Sequence, residues 1–577
     1  MTRTDTIVVG VLVVLFVVVA GLIGAPALTP PAPSAVPTAS PEPIVSRPYR
    51  EGVVGRPVSV SPLSARTQAD RDLVALVFSG LVRNGPAGTL LPDLADTWTV
   101  DPTGASWTFD LRTDAAWHDG EPVTAEDVAF TIRTLQDPEY TGPGAGSWND
   151  ARVETPGDHQ VTITLGNPLG GFLQLATQPI APAHLLADVP VTALSEDPFG
   201  QRPVGSGPYA LVRLDTETAD LVPAALLLGG DGPGPSTSGS AIDSLATAAP
   251  TNRPSGVTPY LVGIQFRYYD DPAALATAYR EGHLDVASGL PPRLAAELAA
   301  TDGSRLLRYQ GSTLTAVLIN LRPDRHVFET PGIRAGLLAA IDRPALIEEA
   351  FASLAGAANG PIPAISPLFD TAAAPFVAFS PAEAQKALKT ADWKKLDNAW
   401  RRATDTAPLE FELLSPDAAS NPVLFAAAAA VAADWKFIGL QVTHVALPPG
   451  EFVSGRLATA DFTIAVADVQ IGLDPDLYPY LASSQTLSGG ANLIGLQDPA
   501  LDKLLAVARA PGTDEERAAA YSALQVALAK GQYLLPLAFR DEVVVARDTL
   551  VGPRLRQVAD ASDRFWDVLT WRLAADR

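Results

Sequence analysis

The sequence predicts an α/β protein of more than one domain. Stretches that alternate apolar and polar residues, as strands do, follow stretches with helical apolar spacing in an irregular order that includes several short αβ units. A chain of 577 residues is too long for a single hydrophobic core, so two or three domains are expected. The hydrophobic content of 47% and charged content of 18% predict that most of the chain is folded.

The clearest local pattern lies between Trp107 and Leu135, in the stretch WTFDLRTDAAWHDGEPVTAEDVAFTIRTL. Residues 107–112 alternate as a strand with one buried face would. An Asp-Gly pair at 119–120 supplies a turn, because glycine tolerates positive φ. Thr124 and Asp127 then form a capping-box pattern before apolar residues at helical spacing. This stretch predicts a strand, a turn and a capped helix.

The turn in this stretch contains the sequence Trp117-His118-Asp119, which also invites an enzymatic interpretation. A histidine beside an aspartate can act as a base or a metal ligand. We favour a structural role, in which Trp117 anchors the turn to the core while His118 and Asp119 satisfy backbone groups.

Other patterns associated with catalysis or cofactors are weak. Gly205-Ser206-Gly207 lacks the G-x-S-x-G spacing of a nucleophile elbow, and Pro208 would disrupt the required strand-to-helix turn. The Gly- and Pro-rich stretch Gly229–Pro254 has no phosphate-binding pattern and is expected to be a loop. We therefore expect no enzymatic activity and no cofactor.

Metal binding through a local motif is also not indicated. The chain has no cysteine, which excludes disulfides and thiolate sites. Its six histidines, at positions 118, 159, 184, 283, 326 and 444, include no pair four residues apart. We expect no metal site, although histidines brought together by folding could still bind nickel or zinc.

The charge balance narrows the choice of partners. The formal net charge is -23 and the isoelectric point is near 4.6. A chain this acidic would be repelled by phosphate backbones, so nucleic acid is not an expected partner. The charge weakly favours cationic ligands, although its commonest consequence is solubility.

The N-terminus predicts a membrane segment followed by a spacer. Ile7–Gly24 is apolar and uncharged, with Arg3 on its N-terminal side, so residues 1–27 fit either a signal segment or a membrane anchor. We favour an uncleaved anchor with its amino end in the cytoplasm. Eight prolines between residues 25 and 48 indicate an extended tether, assigned to 28–50. The folded part should begin near residue 50, outside the membrane.

Several phrases along the chain resemble, in the same order, those of the family 5 extracytoplasmic solute-binding proteins, the peptide-, dipeptide- and nickel-binding components of ABC importers. Besides the 107–135 stretch, they are Gly80-Leu81-Val82, Pro92–Trp98, Gln178–Leu186, Pro203–Tyr209, Gly282–Val286, Ile319-Asn320-Leu321, Leu338–Pro344, Asn492–Leu505 and Leu534–Leu537. Single phrases are weak, but their shared order over residues 55–555 is strong.

The resemblance implies a two-lobed periplasmic-binding-protein type II fold, with a hinge and an additional subdomain in lobe one. It places lobe one at 51–260, lobe two at 261–500 and a return to lobe one at 501–577. Ligand would bind in the cleft between the lobes and stabilise their closed arrangement. The implied protein is a monomer that delivers its solute to ABC permease subunits.

The segment Asp461–Tyr480 is where the resemblance implies ligand binding. Peptide-binding relatives place an aspartate in a Trp-containing segment of lobe two, where it pairs with the peptide's amino terminus. The matching segment here lacks the tryptophan, and Asp468 is the best substitute acid, followed by Asp474. Gln470 and Asn320 complete the candidate set. In the alternative interpretation, both aspartates are turn and capping residues.

The resulting functional expectation is an extracytoplasmic receptor for a peptide or another small polar solute. A second hypothesis is a non-transport use of the same fold, as a sensor, chaperone-like or surface-interaction protein. The absence of a lipid-accepting cysteine, the long tether and the altered Asp461–Tyr480 segment favour this alternative modestly.

Overall fold

The computed structural model describes residues 47–145, 147–228, 259–324, 327–402, 405, 407–486 and 490–575. The expected anchor, nearly all of the expected tether, and the glycine-rich loop from residue 229 lie outside the described residues. Among the residues described, no helix combines the length and apolar character needed to cross a membrane.

Most of the strands belong to one large mixed sheet. Numbered along the chain, the strands are β1 Tyr49–Val54, β2 Val82–Asn84, β3 Leu90–Pro92, β4 Ala95–Val100, β5 Ser106–Leu111, β6 Ala151–Gly157, β7 Gln160–Leu165, β8 Tyr209–Leu214, β9 Thr218–Pro223, β10 Ile264–Tyr269, β11 Val286–Ser288, β12 Ser304–Ile319, β13 Ala355–Ala357, β14 Trp393–Leu396, β15 Ala399–Arg402, β16 Glu410–Pro416, β17 Gln441–Leu447, β18 Ile464–Gln470, β19 Leu534–Arg547, β20 Leu550–Val551 and β21 Arg572–Leu573. The large sheet has the order β17-β16-β18-β12-β19-β11-β1-β10-β9-β8, with β13 also beside β19.

The helices pack around these strands. They are α1 Gln68–Val77, α2 Ala125–Gln136, α3 Phe172–Leu175, α4 Ala183–Leu186, α5 Ala225–Leu228, α6 Pro272–Arg280, α7 Pro292–Ala299, α8 Pro331–Ala339, α9 Arg343–Phe351, α10 Pro381–Thr390, α11 Pro422–Ile438, α12 Tyr478–Leu481, α13 Pro499–Ala508 and α14 Asp514–Gly531. Many begin with a proline at the first turn, where its missing N–H costs no helical hydrogen bond. A kinked 3₁₀ segment at Ala561–Thr570 follows the long strands.

A second sheet, β4-β5-β7-β6, forms the subdomain that contains the 107–135 stretch. Its strand β5, turn and helix α2 occur as predicted, and the carboxylate of Asp127 accepts a hydrogen bond from the Thr124 N–H at 2.8 Å. Trp117 is fully buried, and His118 is held between the Gly205 N–H and the Gly207 carbonyl. The structural interpretation of the turn is confirmed.

Two lobes are built on the two halves of the large sheet, and β12 and β19 run through both. Residues 304–310 of β12 pair with the end of β19 beside β11, while residues 314–318 pair with its beginning beside β18. A register irregularity between Gln310 and Leu314 separates the two stretches. The long strands therefore connect the two lobes.

The strand pairing favours a different lobe boundary from the expected residues 261 and 500. β10 lies beside β1 and β9, and its apolar residues join the core of the first lobe. Helices α13 and α14 pack into a core of the second lobe. We propose that the chain changes lobe within residues 310–314 and returns within β19, near Phe539.

Candidate functional site

An ion pair lies on the sheet where the two lobes meet. Asp468 is on β18, and its carboxylate receives hydrogen bonds from the Thr315 hydroxyl at 2.6 Å and from Arg540 Nη1 at 3.1 Å. Arg540 lies on β19, opposite the irregular stretch 310–314 of β12. The first candidate acid is therefore present at the interlobe boundary, already bound to a cation of its own chain.

The network extends from Arg540 toward the first lobe. Arg540 Nη2 lies 3.3 Å from Glu542 Oε1. The negative charge of Asp560 raises the pKa of both residues. Asp560 is held by Arg71 at 2.9 Å and by Gln68 at 3.1 Å, both on α1. We name Asp468, Arg540, Glu542, Asp560 and Arg71 the interlobe network.

Burial and the oppositely charged neighbours shift the pKa values of this network in opposite directions. Burial alone would lower the pKa of Arg540, but the carboxylates of Asp468 and Glu542 raise it above the ordinary value. Burial raises the pKa of Glu542, although Arg540 opposes the change. The side chains of Asp468 and Arg540 remain 22% and 34% exposed, so both are partly open to solvent.

Gln470 makes a second link between the lobes. Its side-chain amide donates to the Ala559 carbonyl and accepts from the Thr313 hydroxyl at 2.8 Å. The neighbouring residue, Val558, bonds to β12 through its backbone. Its N–H donates to the carbonyl of residue 310 at 3.0 Å, and its carbonyl accepts from the N–H of residue 312 at 3.1 Å. Gln470 is thus placed where the C-terminal segment lies against the irregular stretch of β12.

Asp474 takes part in a separate contact at the other side of the boundary. It pairs with Arg517 at 2.7 Å, and it lies directly against Gly171 of the first-lobe subdomain. In the same region the Gly170 N–H donates to the Arg509 carbonyl at 2.8 Å. Asp474 therefore belongs to an interlobe contact rather than to the interlobe network.

Asn320 lies inside the second lobe. It is fully buried, and its amide donates to the carbonyls of Ala460 and Phe462 at 3.1 and 2.8 Å. Its carbonyl accepts from the Arg322 N–H at 3.2 Å. These bonds brace the chain before β18, and we do not propose Asn320 as a ligand-binding residue.

Sequence reasoning missed Arg540, Glu542 and Asp560. Two of them, Arg540 and Glu542, lie in the run LAFRDEVVVA, where consecutive charged residues interrupt an apolar strand. Three charges in a buried strand require partners, because an unpaired buried charge is costly. The identity of those partners could not be read locally, since Asp468 lies 72 residues away.

Two further histidine pairs in the described part of the chain do not indicate a catalytic site. The Ser415 hydroxyl lies 2.8 Å from His444 Nε2, but Ser415 is fully buried. His184 contacts Asp119 at 3.0 Å on the surface. Across the described ranges, no group of three or more histidine, aspartate or glutamate residues is arranged to hold a metal ion.

Comparison with known proteins identifies the family. Residues 89–491 match the model of the bacterial extracellular solute-binding proteins, family 5. Protein XP55 of Streptomyces lividans is 30% identical over 513 residues, covering 87% of this chain and 85% of the relative. The probable di/tripeptide-binding protein 5 of Pseudomonas aeruginosa is 26% identical over 495 residues, covering 81% and 84%.

Solved structures show the same fold. The oligopeptide-binding protein AppA of Bacillus subtilis, solved with a nonapeptide, matches with a TM-score of 0.70 at 20% identity, covering 91% of this chain and 99% of that one. The predicted type II periplasmic-binding-protein fold is thereby confirmed. This chain belongs to family 5 of the bacterial extracellular solute-binding proteins.

Proposed function

We propose that this extracytoplasmic solute-binding protein captures a peptide between its lobes and delivers it to an ABC permease. The named binding functions of two relatives, a di/tripeptide-binding protein and an oligopeptide-binding protein solved with a nonapeptide, support the peptide assignment. The N-terminal apolar run supports attachment to the cytoplasmic membrane, and we propose that the receptor acts as a monomer without enzymatic activity.

The interlobe network is the observation that carries this proposal. It joins Asp468 of the second lobe to Asp560 of the first through Arg540 and Glu542. A ligand can drive lobe closure only through contacts that the open arrangement lacks. Groups from both lobes meet at this one partly exposed place, so a ligand bound there would contact both lobes.

The network also suggests how a peptide would be oriented. Three carboxylates surround Arg540, and one of them, on Asp560, is additionally paired with Arg71. A peptide's ammonium group can bind Asp468 or Glu542 while its carboxylate or carbonyl groups approach Arg540. Gln470, at the adjacent link, is placed to hydrogen-bond the peptide backbone if it exchanges its contact with Ala559.

A thermal-shift screen of the full-length protein in mild detergent tests the proposal. Dipeptides, tripeptides and longer peptides are compared with amino acids, sugars and metal ions. A peptide present at about a thousandfold its dissociation constant should add roughly 4 kcal/mol to the free energy of unfolding. If no peptide raises the melting temperature while another solute class does, the peptide assignment is wrong.

Asp468→Asn then tests the site itself. We expect it to weaken a bound peptide about tenfold or more, because a charge-assisted hydrogen bond is lost. Asp541→Asn is the matched control, since Asp541 follows Arg540 on β19, points to the opposite face and pairs with Arg308. Equal peptide affinity in wild type and Asp468→Asn would remove Asp468 from the site.

One observation favours the alternative, non-transport use of the fold. Asp468 already forms an ion pair with Arg540, so the acid expected to receive the ligand's amino group is compensated within the chain. A sensor or surface-interaction protein would need no peptide there. Stimulation of a partner permease's ATP hydrolysis by the peptide-loaded protein supports transport, and peptide binding without such stimulation supports the alternative.

A further inference from the structure

The lysines of this chain are concentrated in one place. It has only seven, and five of them lie between residues 386 and 436. Residues 386–402 contain six basic and two acidic residues, although the whole chain carries a net charge of -23. An acidic protein thus has a locally basic region, formed by the end of α10, the β14–β15 hairpin and the end of α11.

The hairpin presents basic and apolar side chains on the same outward face. Trp393 and Trp400 are buried beneath it, and Lys395 lies opposite Trp400. Because side chains alternate along a strand, Lys394, its cross-strand partner Arg401 and Leu396 share the other face. Leu396 is 54% exposed on this face.

The end of α11 lies beside the hairpin. The Ile438 carbonyl accepts hydrogen bonds from Lys395 Nζ at 3.1 Å and from Trp400 Nε1 at 2.8 Å. The two residues before Ile438 are Lys436, which is exposed, and Phe437, which is 76% exposed. We name Lys386, Lys389, Lys394, Leu396, Lys436 and Phe437 the lysine patch.

Exposed apolar side chains flanked by lysines suit the surface of an anionic bilayer. Phenylalanine and leucine can enter the headgroup region, while the long lysine stems keep their ammonium groups beside lipid phosphates. The acidic remainder of the protein opposes this contact little, because charges beyond about 8 Å are screened at physiological ionic strength. The charge of the contacting patch therefore decides the interaction.

The length of chain before the folded part allows such a contact. Residues 25–46 separate the N-terminal apolar run from the first described residue, and a Pro-rich spacer of that length spans up to about 70 Å. A folded part of this size has a radius of gyration of about 24 Å. By its length, this stretch of chain does not prevent the lysine patch from reaching a bilayer.

We propose that the lysine patch rests on the anionic phospholipid surface and thereby sets the orientation of the receptor on its membrane. This role is separate from solute capture, since the lysine patch includes no residue of the interlobe network. An acidic protein surface is the competing partner.

The absence of cysteine allows a direct test. Leu396→Cys in the full-length chain gives a single site for an environment-sensitive fluorophore, and Val507→Cys, at a position 60% exposed on α13 of the same lobe, is the control. Each labelled protein is reconstituted into neutral phosphatidylcholine vesicles or into vesicles that also contain phosphatidylglycerol. This test rests on the N-terminal anchor proposed above, which would insert into both kinds of vesicle, so a difference between them reports the patch.

We expect the label at residue 396 to shift to an apolar emission, and to become accessible to a lipid-borne quencher, only in the anionic vesicles. Replacing Lys394 and Lys436 by Gln in the labelled chain should reduce the lipid-contacting fraction, by roughly fivefold per lysine. Salt at 1 M should abolish the shift, since the screening length falls to about 3 Å. The label at residue 507 should remain aqueous throughout.

Three results would overturn the proposal. They are an aqueous signal from residue 396 in anionic vesicles, an equal shift in neutral vesicles, and a shift that appears only when a membrane protein is added. The last result would identify a protein partner instead of lipid. Peptide-induced thermal stabilisation measured on the same samples keeps this test distinct from that of solute binding.

Discussion

Arg564 shows how single residues join the distant ends of the folded chain. Its guanidinium pairs with Glu51 of β1 and Asp72 of α1, both at 2.7 Å, and all three side chains are at most 3% exposed. The Tyr49 hydroxyl also donates to Glu51 at 2.6 Å. Such a cluster is stable only while its charges compensate each other, because each is costly to bury alone.

Replacing Arg564 by Met should therefore be strongly destabilising. The variant leaves two buried carboxylates without their cation, and we expect the free energy of unfolding to fall by about 3–5 kcal/mol. Urea unfolding at pH 7 measures the change. Arg56→Met is the control: its ion pair with Asp270 is exposed, so little or no loss of stability is expected. Equal losses in the two variants would contradict the role of the buried cluster.

Asp93 gives a pH-dependent prediction at the same scale. Burial raises its pKa to about 6, despite a hydrogen bond from the Ser79 hydroxyl. The unfolded chain titrates near the ordinary value of about 3.9. The folded state thus binds the proton more tightly between about pH 4 and 6, and stability contributed by the protonated form is lost as pH rises through that window.

Asp93→Asn should remove this loss. At pH 7 we expect the variant to be more stable than wild type by roughly 1–3 kcal/mol, with the difference vanishing below about pH 4. Urea unfolding at several pH values provides the test. For Asp101→Asn, the stability difference from wild type should change with pH in the opposite direction, because a hydrogen bond from the Ser106 N–H lowers the pKa of Asp101. A pH-independent difference between wild type and Asp93→Asn would contradict this assignment.

At the scale of elements, the sequence predicted local units better than their long-range pairing. The strand, turn and capped helix of the 107–135 stretch follow from neighbouring residues, and the structure contains all three. The lobe boundary depends on β10 lying parallel to β1, more than 200 residues away. No local pattern specifies such a pairing, so neither the boundary that we propose nor the partner of Asp468 could be obtained from the sequence alone.

The contact between the Gly170-Gly171 turn and the second lobe makes a prediction about this element. A Cβ at Gly171 would lie 2.6 Å from Asp474 Oδ2, whereas one at Gly157, in the same subdomain, would meet nothing within 4 Å. Gly171 has a φ of -88°, so alanine meets no backbone strain there. Gly171→Ala should therefore act through the interlobe contact, separating the lobes rather than unfolding the subdomain.

Small-angle scattering tests this expectation directly. We expect a larger radius of gyration for Gly171→Ala than for wild type, and weaker binding of any ligand that requires lobe closure. Gly157→Ala should resemble wild type in both measurements. An unchanged radius of gyration in Gly171→Ala would show that the subdomain does not hold the lobes together.

For the whole molecule, the shared strands tie the two lobes into one sheet. β12 and β19 each contribute residues to the hydrogen-bonded ladder of both lobes, so neither lobe has a complete sheet without the other. Many multidomain proteins unfold in separate steps, because few contacts cross between their domains. Here the loss of either lobe would leave unpaired, formerly buried backbone groups along the same strands of the other.

We therefore expect the folded part to melt in a single cooperative transition. Differential scanning calorimetry should give one peak whose calorimetric and van't Hoff enthalpies agree. A peptide that bridges the cleft should move that peak as a whole, since it binds both lobes in one state. Two resolved peaks, with only one displaced by ligand, would mean that the lobes fold independently and that the long strands act only as linkers.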